Sequence, residues 1–219
     1  MTKQFDPSGL GEAFKIAGPE YGESLGNQLT QAQEQLSDAQ AKADAAAAAE
    51  RSELTRGIAA TRRLQQMRSE AKELESRALD AAFSNDEDAQ VRVRRHSELT
   101  ECAGVLHKAI ARHLAYAETD YRRSTLDAEL TLLDAEILLG KLSHAITLNE
   151  ILSAMKQVAR VNGGQVKLDS EALFTGRIAE LQLSVHRLED RKLGMKRKIE
   201  LHASDTREMR EQYTRNFEK

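Results

Sequence analysis

The sequence contains few of the residues on which a compact globular core depends. Tryptophan is absent, aromatic residues make up 4% of the 219 residues, and proline occurs twice. A globular domain of this length normally buries more bulky side chains. Charged residues reach 31%, and strong helix formers such as alanine, leucine and glutamine are abundant. This composition is typical of coiled coils, and it predicts an elongated, all-α coiled-coil protein.

Other absences restrict the class of function. The single cysteine, Cys102, excludes an internal disulfide. No apolar run approaches the roughly 20 residues of a membrane span, and residues 1–7 lack the apolar core of a signal peptide. The net charge of −3 argues against a nucleic-acid partner. We therefore expect a cytoplasmic protein that binds no nucleic acid and whose contact with a membrane is peripheral.

Motifs that would indicate catalysis are also missing. No two histidines are three or four residues apart, as paired ligands on one helix face would be, and no His-Glu-x-x-His motif occurs. Cys102 falls on a predicted apolar stripe, where a lone cysteine usually packs as a small apolar residue. Gly163-Gly164 lacks the lysine and hydroxyl residue of a phosphate-binding loop. We expect no metal site, no cofactor and no enzymatic activity.

The N-terminal segment, residues 1–22, differs from the rest of the chain. It contains both prolines, Pro7 and Pro19, which interrupt helices. Between them, apolar residues at helical spacing predict a short amphipathic helix. Two interpretations remain open: the segment inserts into a membrane interface, or it packs on the long helices or on a neighbouring subunit. The candidate membrane-binding residues are Phe5, Leu10, Phe14, Lys15 and Ile16.

Long apolar stripes follow from residue 23. In the first helix the stripe runs from Leu25 to Ala46 and again through Leu54, Ile58 and Thr61, in steps of three and four. The second helix has a stripe that includes Leu99, Cys102, Ile110, His113, Ala117 and Tyr121. These stripes predict a helical hairpin over residues 23–161. Its tip is predicted at Ser84, Asn85, Asp86, Glu87 and Asp88, because such residues cap helix starts.

A further helical region is predicted over residues 165–219. Asn162-Gly163-Gly164 ends the preceding helix, Asp169-Ser170 resembles an N-cap, and a stripe runs from Phe174 to Ile199. The charged stretch from Ala203 is expected to fray. Many stripe positions are alanine, which buries little area, so we expect the helices to need partners, including other copies of the chain.

Two basic clusters have two interpretations. They are either solvated faces of helices or contacts with other subunits, with anionic lipid or with an acidic partner. Their members are Arg92, Arg94, Arg95, Lys196, Arg197 and Lys198.

Several stretches carry a family resemblance. They are residues 53–56 (ELTR), 61–66 (TRRLQQ), 75–82 followed by 86–89 (DEDA), 96–101 (HSELTE), 166–169 (VKLD) and the stripe over 174–188. Together with the hairpin layout, they resemble the phage shock protein A family of ESCRT-III-like membrane-remodelling proteins. The resemblance implies a scaffold that polymerises into rods, rings or tubes and stabilises or remodels the inner membrane. The alternative is a soluble coiled-coil adaptor, or a BAR-like dimer, that binds a partner protein.

Overall fold

The computed structural model describes residues 8–81, 87–162 and 176–218, and no strand occurs within these ranges. The prediction of an all-α fold is therefore confirmed. The elements in chain order are α1 (Ser8–Ile16), α2 (Pro19–Ala81), α3 (Glu87–Arg112), a π-helical turn (His113–Glu118), α4 (Thr119–Asn162) and α5 (Arg177–Phe217).

The ends of the helices follow from a few local residues. Pro19 interrupts the helix as predicted, because α1 ends at Ile16 and α2 begins at Pro19. Proline is tolerated in the first turn of α2, whose N–H groups have no helical partner. The hairpin tip is predicted at residues 84–88. Of these, Ser84, Asn85 and Asp86 lie outside the described residues, whereas Glu87 and Asp88 occupy the first turn of α3.

The helical stop predicted at Asn162-Gly163-Gly164 agrees with the end of α4 at Asn162. The residues that follow, including the predicted N-cap at Asp169-Ser170 and Phe174, lie outside the described part of the chain. The described helix α5 begins at Arg177, after Gly176.

The chain divides into two compact units. Unit 1 comprises residues 1–43 and 128–197, and unit 2 comprises residues 44–127 and 198–219. Helices α2, α4 and α5 each contribute residues to both units. The two units have different interiors.

Unit 1 has an aliphatic interior. Leu25 and Ala32 of α2 pack against Leu142 of α4. Helix α5 lies against α4 through ion pairs of Lys141 with Glu189 and of Lys192 with Asp134. Lys192 lies in phase with the apolar stripe of α5, and its ammonium reaches a carboxylate on α4.

Gly140 marks a close approach of α4 to α5 in unit 1. Glycine is unfavourable inside a helix, but α4 continues through Gly140 to Asn162. A Cβ atom at position 140 would lie only 2.9 Å from Cγ2 of the buried Val185. The glycine therefore allows close packing of α4 against α5.

In unit 2, α2 and α3 form an antiparallel pair around Leu64, Ala103 and Ile110. Cys102, predicted to lie on the buried stripe, is exposed, because the adjacent Ala103 takes the inward position. The prediction that the chain frays after Ala203 is also wrong. Helix α5 continues to Phe217, and Tyr213 is buried.

Candidate interaction sites

Helix α1 is docked on α4 of unit 1. Ala17 and Leu152, the latter only 1% exposed, form a buried pair at this contact. Ala13 and Phe14 of the N-terminal helix pack around them, together with Leu148, Ile151 and Met155 of α4. Burial of this apolar face provides the main attraction between the two helices.

Polar contacts fix the C-terminal end of α1. The Lys156 ammonium donates to the carbonyl oxygens of Lys15 at 2.8 Å and of Ala17 at 2.6 Å. It also lies 5.4 Å from the centroid of the Phe14 ring. A cation is favourable at this position, because the last carbonyl groups of a helix have no helical partner and carry partial negative charge.

Asn149 secures the link between α1 and α2. Its Oδ1 accepts from the Gly18 N–H at 3.0 Å, and its Nδ2 donates to the Gly18 carbonyl at 3.3 Å. Both ends of this buried amide are thus paired with backbone groups. Gly22 makes room for it, because a Cβ atom there would lie 2.9 Å from Nδ2. We name the contacts of Asn149 and Lys156 with residues 15–18 the α1 clasp.

The clasp bears on the candidate membrane-binding residues. Phe14 is partly buried against α4, Lys15 points to solvent while its carbonyl is bound, and Ile16 is 57% exposed. Leu10 lies in α1, and Phe5 lies outside the described residues. Of the interpretations that the sequence leaves open, the structure thus has the one in which the N-terminal segment packs on a long helix. Membrane contact through Phe14 stays a prediction, and it requires α1 to leave α4.

The inward-facing heptad positions of α2 form a line that we call the heptad seam. This seam continues into unit 2, where it includes glutamates and a glycine. From Ala46 it passes through Glu50, Glu53, Gly57 and Ala60 to Leu64, in strict steps of four and three. The side chains of Glu50 and Glu53 are each 12% exposed, and Gly57 is buried.

The predicted seam residues Leu54 and Ile58 lie one position away from this seam and are 36% and 53% exposed. Thr61 is exposed as well. The prediction was wrong here because it followed the apolar side chains rather than the heptad phase. An uninterrupted count of sevens from Ala46 would have found the glutamates.

The two seam glutamates contact cationic and imidazole groups. Glu50 Oε1 lies 3.2 Å from an Arg122 guanidinium nitrogen, and Glu53 Oε1 lies 2.8 Å from Arg56. Glu53 Oε2 is 3.9 Å from Nδ1 of His113. The Nε2 atom of His113 is buried and has no hydrogen-bond partner among the described residues.

The π-helical turn shifts the phase of the second long helix. Inward-facing positions step from Leu99 through Ala103, Leu106 and Ile110, and then by five residues to Ala115 and by four to Thr119. One extra residue is thereby accommodated, as a π-helical turn requires. The predicted stripe through His113, Ala117 and Tyr121 therefore runs beside the buried line, and Tyr121 is exposed.

The Arg210 side chain of α5 contacts this turn. Its Nε donates to the Ala115 carbonyl at 3.0 Å, and its guanidinium reaches Asp120 at 2.6 Å. The guanidinium carbon also lies 4.9 Å from the centroid of the Tyr116 ring, which meets the Tyr213 ring edge to face. Nothing in the sequence singles out Arg210, because it sits in an evenly charged stretch far from the turn along the chain.

A groove opens beside the turn in unit 2. A volume of about 450 Å³ lies between α2 and the α3–π–α4 run, and its lining includes Gly57, Ala60 and Tyr121. A second volume, of about 510 Å³, has Val105 and Tyr213 in its lining. Both volumes share Ala109, His113 and Ala117. We name the combined surface the π groove.

The two basic clusters lie on different helices. Arg92, Arg94 and Arg95 are exposed on α3, where Arg95 lies 3.5 Å from Glu70 and 4.0 Å from Glu98. Lys196, Arg197 and Lys198 are exposed on α5. These positions are compatible with both interpretations of the clusters, and a role in assembly or lipid contact stays a prediction.

Two further observations concern the described ranges alone. No group of three or more His, Cys, Asp or Glu side chains in them is arranged to hold a metal ion. None of the helices there has a sufficiently long and apolar stretch to cross a membrane. Comparison of the chain with family models, curated proteins and solved structures gave no match.

Proposed function

We propose that the protein is a non-enzymatic, self-assembling helical scaffold that acts at the cytoplasmic face of the inner membrane. This is the function that the resemblance to phage shock protein A implies. The observation that best supports it is the α1 clasp. Helix α1 is held on α4 by one apolar cluster and two polar side chains, and only Ala17 and Gly18 join it to α2.

An arm attached in this way can exchange partners. The apolar face of α1 can dock on its own α4, on the α4 of a neighbouring copy, or in a membrane interface. Exchange of an identical element between copies links subunits at low cost in free energy, because α1 meets the same α4 surface on either copy. Exposed valines on α3, among them Val91 and Val93, add apolar surface that further copies can cover.

The test combines electron microscopy with liposome sedimentation. We expect the purified protein to form rods, rings or tubes in negative stain and to sediment with anionic liposomes. Phe14→Asp removes an apolar group from the docked face of α1, whereas Ile16→Asp changes a residue that is already exposed. Both variants should lose liposome binding, because both put a carboxylate on a helix that would enter the interface.

The two variants should differ in assembly. Phe14→Asp weakens docking on α4 of either copy and should therefore shift the polymers toward smaller species. Ile16→Asp should assemble as the wild type does. Wild-type protein that is monodisperse and does not sediment with liposomes would contradict the proposal. A single dimeric species would instead favour the adaptor or BAR-like alternative.

A further inference from the structure

The π groove has no role in the proposed scaffold, and its shape corresponds to that of a helix. Along the second helix it extends from Val105 to Tyr121. At about 1.5 Å per residue these 16 steps cover roughly 24 Å, or about four helical turns. Concave surfaces of this length between two helices are typical sites for a third helix that lays its apolar face into a groove.

The lining of the groove favours close approach of a helix. Ala109 and Ala117 form its floor, and Gly57 and Ala60 face it from α2. Small side chains at a contact shorten the distance between helix axes. Val105, which is 67% exposed, and Tyr121 provide apolar surface toward the two ends. A docked apolar stripe would therefore bury side chains that now face solvent.

The charges around the groove are mainly positive. Lys108 and Arg112 line it from α3, and neither has an ion-pair partner among the described residues. Arg56 lines it from α2 and is paired with Glu53. Glu53 itself lines the groove, and a carboxylate oxygen of Glu118 lies 3.7 Å from the position that a Cβ atom on Gly57 would take. Cations thus outnumber carboxylates, and the two unpaired cations lie on one side.

We propose that the π groove binds an acidic amphipathic helix of a partner protein. The apolar face of that helix would cover Ala109 and Ala117, and its carboxylates would meet Lys108 and Arg112. Charge complementarity selects this occupant over a neutral or basic helix, because like charges across an interface are unfavourable. A bilayer surface is too flat to fill a concave groove between helices.

The test uses two designed peptides and the full-length protein. Each peptide has about 18 residues, leucine at heptad positions a and d, and a fluorescent label. One carries glutamate at the flanking positions, and the other carries lysine there. Fluorescence anisotropy should show binding of the glutamate peptide at least about tenfold tighter than binding of the lysine peptide, because only the former matches the rim charges.

Charge reversal makes the test specific. Lys108→Glu/Arg112→Glu should weaken binding of the glutamate peptide about tenfold and strengthen binding of the lysine peptide. Ala109→Trp, which fills the floor, should abolish binding of both peptides. Arg92→Glu/Arg94→Glu, the same charge change elsewhere on α3, is the matched control and should leave both affinities unchanged. Circular dichroism of each variant verifies that the helices remain.

Three outcomes would overturn the proposal. The first is equal affinity of the protein for both peptides. The second is that Lys108→Glu/Arg112→Glu changes the peptide affinity no more than the control variant does, which would mean that the peptide binds elsewhere. The third is absence of peptide binding together with a change in oligomeric mass on Ala109→Trp, which would identify a second copy of the chain as the occupant.

Discussion

The two units use the same heptad of α2 for different interiors. In unit 1 the inward positions hold residues such as Leu25 and Ala32, which pack against aliphatic side chains of α4. In unit 2 the equivalent positions hold Glu50, Glu53 and Gly57 before the apolar cluster resumes at Leu64. A seam can thus keep its phase while its chemistry changes from aliphatic to ionic.

The difference has a consequence for stability. Burial of aliphatic side chains is favourable by itself, whereas an ion pair taken from water gains little net free energy, because desolvation offsets the attraction. We therefore expect unit 1 to depend on shape and volume. Unit 2 should depend more on specific polar contacts, especially those of Arg210 around the π-helical turn.

The largest expected effect is a truncation in unit 1. Leu152→Ala should lower the free energy of unfolding by about 2–5 kcal/mol, because it leaves a cavity beneath α1 in one of the most buried parts of the chain. Urea denaturation measures the change. Leu183→Ala, at an exposed position of the same unit, is the control and should cost less than about 0.5 kcal/mol. Equal costs would mean that α1 is not docked as described.

The next effect concerns Arg210 in unit 2. Arg210→Ala should cost about 1–3 kcal/mol, since the Ala115 carbonyl loses a donor and Tyr116 loses its stacked cation. The exposed ion pair with Asp120 contributes little of this. Arg210→Lys should restore only a minor part, because an ammonium cannot both stack and reach the carbonyl in the same geometry. Arg207→Ala, one turn away on α5, should have almost no effect. Thermal unfolding of the three variants decides whether the guanidinium holds the turn.

Two glycines test the difference in packing between the units. Gly140→Ala in unit 1 should destabilise by about 1–3 kcal/mol, because its Cβ atom would lie 2.9 Å from Val185. Gly57→Ala in unit 2 should stabilise by up to about 1 kcal/mol, since its Cβ atom would make ordinary contacts of 3.5 Å with His113 and alanine favours helix. Opposite signs in thermal unfolding would confirm that unit 1 is the more tightly packed at these positions. Two equal shifts would contradict it.

The sequence predicts the fold class and some of the helix ends, such as the break before Pro19 and the end of α4 at Asn162, because composition, heptad spacing and glycine or proline positions act locally. It predicts less of the interior. Alternating steps locate Leu25 and Leu64, but between them the pattern points to Leu54 and Ile58, which are exposed. The heptad phase places Glu50 and Glu53 on the seam, but it does not identify their partners Arg122 and His113, which are far along the chain.

The candidate sites are harder to predict for the same reason. The apolar face of α1 is visible in the sequence, but Asn149 and Lys156, which hold it, lie more than 130 residues away. The π-helical turn adds a single residue to a regular stripe, and a drift in spacing gives the same signal. Such features depend on which distant residues the fold brings together.

The smallest expected effect is a dependence of stability on pH that comes from His144 in unit 1. Burial lowers the pKa of His144 below its ordinary value of 6.5, and its Nε2 has no hydrogen-bond partner in the described structure. The unfolded chain therefore takes up the proton at higher pH than the folded chain does. Stability is intact above pH 6.5 and falls as the pH decreases from 6.5 toward the lower folded pKa.

His144→Gln should reduce this loss of stability between pH 7.5 and pH 5.5, as measured by urea denaturation at each pH. His186→Gln is the control, because the His186 side chain is largely exposed in the same unit. The neighbouring Glu189 does not change its charge between pH 7.5 and pH 5.5. A hydrogen bond from Lys141 lowers the pKa of that carboxyl below its ordinary value of 4.5, so it stays ionised throughout the range. If His186→Gln reduced the pH dependence as much as His144→Gln did, the buried imidazole of unit 1 would not be its source.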